Sequence, residues 1–133
     1  MAYPPIYRYT KDHEWIDVKG DSGTIGLTDW AQCQLGDIVF VELPPVGTTL
    51  QAGKSLGIVE SVKAANDIYA PVSGDVIEVN GELKDAPERV NSDPHGKGWL
   101  VKVRLKNPAE IGTLMDAAAY EAYLSSPDKD VSH

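Results

Sequence analysis

A single, mainly β domain carrying a short helix and a C-terminal helix is what this sequence predicts, and three observations predict it. Twelve glycines and nine prolines fall at short, fairly regular intervals rather than in one flexible block, the punctuation of many short strands. Between those marks the residues alternate apolar with polar or run β-branched, the pattern of half-buried strands. Finally, Gly36-Asp37-Ile38-Val39-Phe40-Val41-Glu42 and Gly74-Asp75-Val76-Ile77-Glu78-Val79-Asn80 both read as a Gly-Asp turn, two aliphatics, then alternation. Two such units in one small chain suggest a pseudo-twofold β structure. At 133 residues the chain is expected to be one domain over residues 1–133, large enough to bury about two thirds of its surface without a disulfide or structural metal.

Taken in order, Glu14 to Lys19 and Thr24 to Thr28 form a hairpin about the turn Lys19 to Gly23, where Gly and Asp favour a tight reversal. Thr28 or Asp29 caps a helix running through Leu35 and stopped by Gly36, because a side-chain oxygen satisfies the first free N–H groups. Asp37 to Glu42, Ser55 to Ser61, Asp67 to Tyr69, Asp75 to Asn80 and Trp99 to Leu105 are the remaining strands, with Pro71 and Gly74 bounding a turn. Thr113 and Asp116 resemble a capping box ahead of an Ala-rich helix to Leu124. Met115, Ala119, Ala122 and Tyr123 share the face expected to pack on the sheet. Residues 125–133 are expected to be a frayed tail.

Composition excludes several function classes. Twelve basic against 20 acidic residues give a net charge of −8, a surface that repels phosphate backbones and anionic lipids, so neither nucleic-acid nor membrane binding is expected. The same acidity suits transient docking on basic partners and also suits plain solubility; charge alone does not separate the two. One cysteine, Cys33, leaves no internal disulfide and no multi-cysteine metal site. A lone cysteine in a short helix is usually a small core residue, and a pairing with His13 as nucleophile and base lacks a third orienting group. His13, His95 and His133 show no metal-ligand spacing, and Ser92 to Gly96 reads as a turn. Lys97 between Gly96 and Gly98 lacks the spacing of a phosphate loop. The N-terminus has no basic start followed by an apolar run, so a soluble, unexported chain is expected.

Chemistry concentrates between the two echoing units, in Gly57 to Gly74. The apolar strand stops near Ser61 and resumes at Ile68, which makes Val62 to Asn66 a hairpin turn with Lys63 at its tip. A lysine there is most often just a solvated surface residue. Ala64 and Ala65 beside it, however, leave its amine unobstructed for an acylating enzyme, and a rigid hairpin would present it in one geometry.

At Glu60-Ser61-Val62-Lys63-Ala64 the sequence closely resembles the glycine cleavage system H protein family, with Lys63 matching that family's lipoylated lysine. The resemblance continues, in the family's order, through His13-Glu14-Trp15, Thr24 to Asp29, Leu35 to Pro44, Tyr69 to Gly74, Asn91 to Pro94 and Gly98-Trp99-Leu100. It implies a barrel-sandwich hybrid, the lipoyl- and biotinyl-carrier fold, with extra N-terminal strands and a C-terminal helix. It also implies a carrier with no catalytic residues and no metal of its own, with lipoate joined covalently to Lys63. In the family that lipoate accepts an aminomethyl group at the pyridoxal-phosphate glycine decarboxylase and passes it to a tetrahydrofolate-dependent aminomethyltransferase. Dihydrolipoyl dehydrogenase then reoxidises it. A lipoate-attaching enzyme is a further implied partner, a monomer is expected, and the setting is the bacterial cytoplasm, or the mitochondrial matrix for a processed eukaryotic chain.

A tethered dithiolane turns three encounters of a free cofactor into local searches. The aminomethyl cargo carries an amine, and a carboxylate beside a sheltering cleft would hold it. Glu14 is the first candidate by resemblance and Asp67 the second; solvated surface carboxylates are the bland alternative for both. Three rivals share the sequence features. One is a lipoyl donor that passes its group to other dehydrogenase complexes, and another is an unmodified H-like binding module. The third, a biotin carrier, is disfavoured because Val62 and Ala64 stand where methionines usually flank a biotinylated lysine.

Overall fold

The structure, a computed structural model, describes residues 3–126. Among the described residues nine strands form two antiparallel sheets that do not close into a barrel. The larger has six strands in the order β1 (Arg8–Tyr9), β2 (Glu14–Lys19), β3 (Ser22–Leu27), β9 (Val101–Leu105), β8 (Gly74–Val79) and β5 (Thr49–Leu50). The smaller has β4 (Ile38–Glu42), β6 (Ser55–Ser61) and β7 (Ala65–Tyr69), in that order. Ile16, Ile25, Val41, Val59, Ile68, Val76 and Val103 are among the residues that meet between the sheets. The alternation read from sequence is what puts one face of each strand into this core.

The predicted pseudo-repeat has a structural counterpart. In β4 the pairing with β6 slips between Ile38 and Phe40, and in β8 the pairing with β9 slips between Val76 and Glu78. Val39 and Ile77, equivalent positions of the two echoing segments, are therefore the extra residues of two matching bulges. Bulges re-aim the side chains around them, and both Val39 and Ile77 are exposed.

Several boundaries differ from expectation. The first hairpin is tighter than the five residues predicted: Lys19 pairs directly with Ser22, leaving Gly20-Asp21 as a two-residue turn. β7 begins at Ala65 rather than Asp67 and β9 at Val101 rather than Trp99. A single helical turn, α2 (Arg89–Ser92), leads into the turn expected over Ser92 to Gly96. Helix α1 (Asp29–Leu35) matches the prediction, with the Thr28 hydroxyl accepting the Ala31 N–H at 3.2 Å and Gly36 closing it at φ +81°.

The C-terminal helix, α3 (Ala117–Leu124), is capped by Asp116, not Thr113, which ends a separate 3₁₀ segment from Pro108. Of its predicted inner face, Met115 and Tyr123 pack against buried residues as expected, and the two alanines are corrected. Ala119 and Ala122 are exposed, and the buried residue is Tyr120. The larger ring buries more apolar surface than two alanines can, so it sets the helix rotation. Tyr120 stacks on Tyr9 with ring centroids 4.8 Å apart, in a second core with Trp15 at the β1–β2 end of the large sheet. Most of the predicted tail, residues 127–133, lies outside the described residues. Among the described residues no helix is long and apolar enough to cross a membrane.

Candidate functional site

Lys63 sits at the tip of the β6–β7 hairpin, where Ser61 organises the turn. The Ser61 hydroxyl oxygen accepts the N–H groups of Lys63 and Ala64 at 3.1 and 3.2 Å, and the Ser61 N–H donates to the Ala64 carbonyl at 2.8 Å. A serine turn of this kind replaces missing ladder bonds and fixes the reversal within three residues. The Val62 N–H then ties the tip to the carbonyl of Asp37 at 3.0 Å. The Lys63 side chain is exposed, as predicted, yet its amine is not loose: Nζ donates to the Gln34 carbonyl at 3.2 Å. Carbonyls of the last helical turn lack intrahelical partners and favour a cation.

The loop receiving the hairpin is clamped by Asn91. Its Nδ2 donates to the Gly36 carbonyl at 2.8 Å and to Gln32 Oε1 at 3.0 Å, while Oδ1 accepts the Ile38 N–H at 2.9 Å. Asn91 thus grips the chain on both sides of Asp37, the residue that holds Val62.

A cleft of about 400 Å³ opens beside the hairpin, between α1 and β7, and it brings the two sequence-predicted carboxylates together. Glu14 and Asp67 both line it, with His13, Trp30, Ala65 and Tyr69. Lys63 is not part of the lining, but Ala65, two residues on, and Gln34, which holds the lysine amine, both are. Asp67 is exposed and accepts the Ser55 hydroxyl at 3.1 Å.

Glu14 is no surface carboxylate. Only 1% of it is exposed, with Oε1 accepting the Thr10 hydroxyl at 2.7 Å and Oε2 accepting the Tyr69 N–H at 3.2 Å. The Tyr69 N–H lies on the free edge of β7, so Glu14 closes a gap that no strand fills. Burial pushes its pKa from 4.5 up to about 8, helped by the negative charge of Asp12 and opposed by the Thr10 and Tyr69 hydrogen bonds. The expectation of a standing negative charge at Glu14 is corrected accordingly: at neutral pH the carboxyl holds its proton.

Local backbone explains how two neighbours both reach the cleft. His13 is the one non-glycine residue described with positive φ, +70°, which breaks the strand alternation just before β2. Its ring stacks on Trp30 at 4.0 Å, and Nδ1 lies 2.8 Å from the Tyr120 hydroxyl. That hydroxyl is also 2.8 Å from Oγ1 of Thr28, the cap of α1. Tyr120 therefore joins the C-terminal helix to one wall of the cleft. Cys33, expected in the core, is exposed on α1; the inward face of that helix is taken by Ala31 and by Trp30 and Leu35 along the cleft. Among the described residues no group of three His, Cys, Asp or Glu side chains could hold a metal ion.

The family model described as Glycine cleavage H-protein matches residues 7–127. The chain belongs to that family. Among its relatives, the glycine cleavage system H protein of Acidobacterium capsulatum is 56% identical over 124 residues, covering 93% of this chain and 95% of the relative. That of Caulobacter vibrioides is 58% identical over 119 residues, covering 90% and 98%. The crystal structure of the H protein from Mycobacterium marinum superposes with a TM-score of 0.87 at 41% identity, covering 93% of this chain and all of that one. The two-sheet architecture is thus that of the family, and the family is one of carrier proteins.

Thr10, Gln34, Asn91 and Tyr120 were not singled out as site residues from sequence. Thr10 had a readable signal, a hydroxyl two and four residues before the N–H groups it accepts at Asp12 and Glu14. Asn91 and Tyr120 act 53 and 107 residues from their partners Ile38 and His13, where no local pattern points.

Proposed function

We propose that Lys63 carries lipoate in covalent amide linkage and that this chain is the mobile carrier of the glycine cleavage system. The observation that carries the reading is the juxtaposition of a serine-pinned, exposed amine with a cleft holding a buried, neutral carboxyl. The residues fit the group. An amine at a hairpin tip is open to acylation, and a cleft of about 400 Å³ falls in the size range that encloses small ligands. Lipoate there supplies a dithiolane that takes the aminomethyl group of glycine at the decarboxylase, yields it to the aminomethyltransferase and is reoxidised by dihydrolipoyl dehydrogenase.

The chain's own residues do the holding. Acylation of Nζ removes the ammonium, so its charge-assisted bond to the Gln34 carbonyl weakens and the side chain is freed. Glu14 meets a cargo amine in either protonation state. To a neutral amine it delivers the proton held on its carboxyl; to an ammonium it offers a carboxylate after releasing that proton to solvent. In both cases a charged pair forms at a carboxyl that is itself buried, where pairing is stronger than in bulk water. Exposed Asp67 across the same cleft adds attraction at the rim. Trp30 and Tyr69 supply apolar walls.

The test is intact-mass and peptide mapping after incubation with a lipoate-attaching enzyme, ATP and lipoate. Modification at Lys63, with glycine-dependent turnover in the presence of the three partner enzymes, is expected. Lipoate mainly on another lysine overturns the assignment.

A further inference from the structure

The two echoing units offer an internal control for what the fold requires at the position after each bulge. In β8 that position is Glu78, whose carboxylate pairs with Lys102 at 3.5 Å. In β4 the equivalent residue is Phe40, and 45% of it is exposed. The same local geometry thus tolerates a charged residue, so the bulge itself does not call for an aromatic ring there. Phe40 also has apolar company. Val39, 54% exposed, precedes it at the bulge, and Val62, 68% exposed, is the residue immediately before Lys63. Register places them on connected surface. Phe40 is opposite Glu60, Val62 lies two residues beyond Glu60, just past the end of β6, and the Val62 N–H bonds to the carbonyl of Asp37, just before the start of β4. Asp37 and Glu42 are exposed at the two ends of this stretch of β4, with Glu60 half-buried between. β4 is moreover an edge of its sheet.

We infer that the Val39-Phe40-Val62 surface of the β4 edge is the docking face for the enzyme that acylates Lys63. The inference rests on the proposal that Lys63 is the acylated residue. Reach decides between partners. Before acylation the nucleophile stands on a four-carbon stem, so an acylating enzyme has to cover the surface immediately around Lys63. Enzymes acting on the dithiolane work at the end of a much longer tether and can stand further off. The apolar centre within an acidic rim identifies the chemistry of the partner: an apolar pocket that receives Phe40, flanked by Lys or Arg opposite Asp37, Glu42 and Glu60. Aromatic anchors at such centres carry a disproportionate share of binding energy, and rim charges mainly speed encounter.

The experiment measures steady-state acylation of the apo chain by a lipoate-attaching enzyme with ATP and lipoate, for the unsubstituted chain, Phe40→Ser and Ile77→Ser. Ile77 is the matched control, an exposed residue at the equivalent bulge on the other sheet. Thermal unfolding of all three establishes that each is folded, and Val39→Ser provides a second variant at the patch. Phe40→Ser should lower kcat/KM about tenfold, chiefly through KM, and Val39→Ser should lower it in the same direction. Ile77→Ser should match the unsubstituted chain. Equal kcat/KM for Phe40→Ser and the unsubstituted chain overturns the docking face, as does an equal loss in Ile77→Ser. Failure of the unsubstituted chain to be acylated at Lys63 is distinguishable from both, because it removes the underlying reading and the docking face together.

Discussion

Replacing Glu14 with Gln should change how stability depends on pH. The native carboxyl keeps its proton up to about pH 8, whereas in the unfolded chain it loses it near the ordinary value of 4.5. Between those values the native state binds the extra proton. Stability contributed by this group is therefore present below pH 4.5 and falls as pH rises through the window. Each pH unit in the window is worth a little over about 1 kcal/mol, so the loss from about pH 5.5 to 7.5 is roughly 2 to 3 kcal/mol. Gln cannot titrate. It also presents an NH₂ group where Thr10 and Tyr69 both donate, a pH-independent cost of about 1 kcal/mol. The assay is urea unfolding of both chains across that pH range; every other titrating group is shared and cancels in the difference. The variant should gain on the unsubstituted chain steadily as pH rises. Parallel stability curves would refute a buried, protonated Glu14.

Lys63→Arg should abolish lipoate carriage while shifting stability by less than about 0.5 kcal/mol, because the side chain is exposed and its single polar contact is at the surface; thermal unfolding and glycine decarboxylation read the two separately. Gly57→Ala should destabilise the chain by about 2 kcal/mol or more, since an added Cβ would lie 2.2 Å from the Glu42 carbonyl oxygen in the β4–β6 pairing, measured by urea unfolding. Tyr120→Phe should cost about 1 to 2 kcal/mol by removing the hydroxyl shared between His13 and Thr28. The same variant should raise amide exchange in α1 relative to the far sheet. Loss spread evenly over both would contradict the coupling.

What the residues disclosed in advance follows from how local each signal is. The Lys63 hairpin was readable because Ser61 ends an apolar run and small residues follow it. Helix α1 was readable from Thr28 and Gly36, whose capping roles depend only on neighbours. Periodicity located α3 but put Ala119 and Ala122 on its inner face, because alanines score alike on every face and the ring of Tyr120 decided the rotation through Tyr9, far away in sequence. Glu14 was named through resemblance alone. Its burial and raised pKa depend on Thr10, on the unpaired edge of β7 and on the positive φ at His13. Only the last of these is a local backbone property, and no residue type there advertises it. Cys33 failed for a related reason: a seven-residue helix has few inward positions, and Trp30, Ala31 and Leu35 occupy them.

Under the proposed function the amide on Lys63 is a tether and chemistry takes place at the dithiolane. The most direct measurement follows isotope-labelled lipoate on Lys63 by intact mass while the chain is supplied with glycine, tetrahydrofolate, the three partner enzymes and an apo dehydrogenase subunit with its lipoyl transferase. Many glycine turnovers per chain with the label still on Lys63 is the predicted result. Loss of label to the dehydrogenase subunit without glycine-dependent turnover would contradict it and identify the chain as a lipoyl donor.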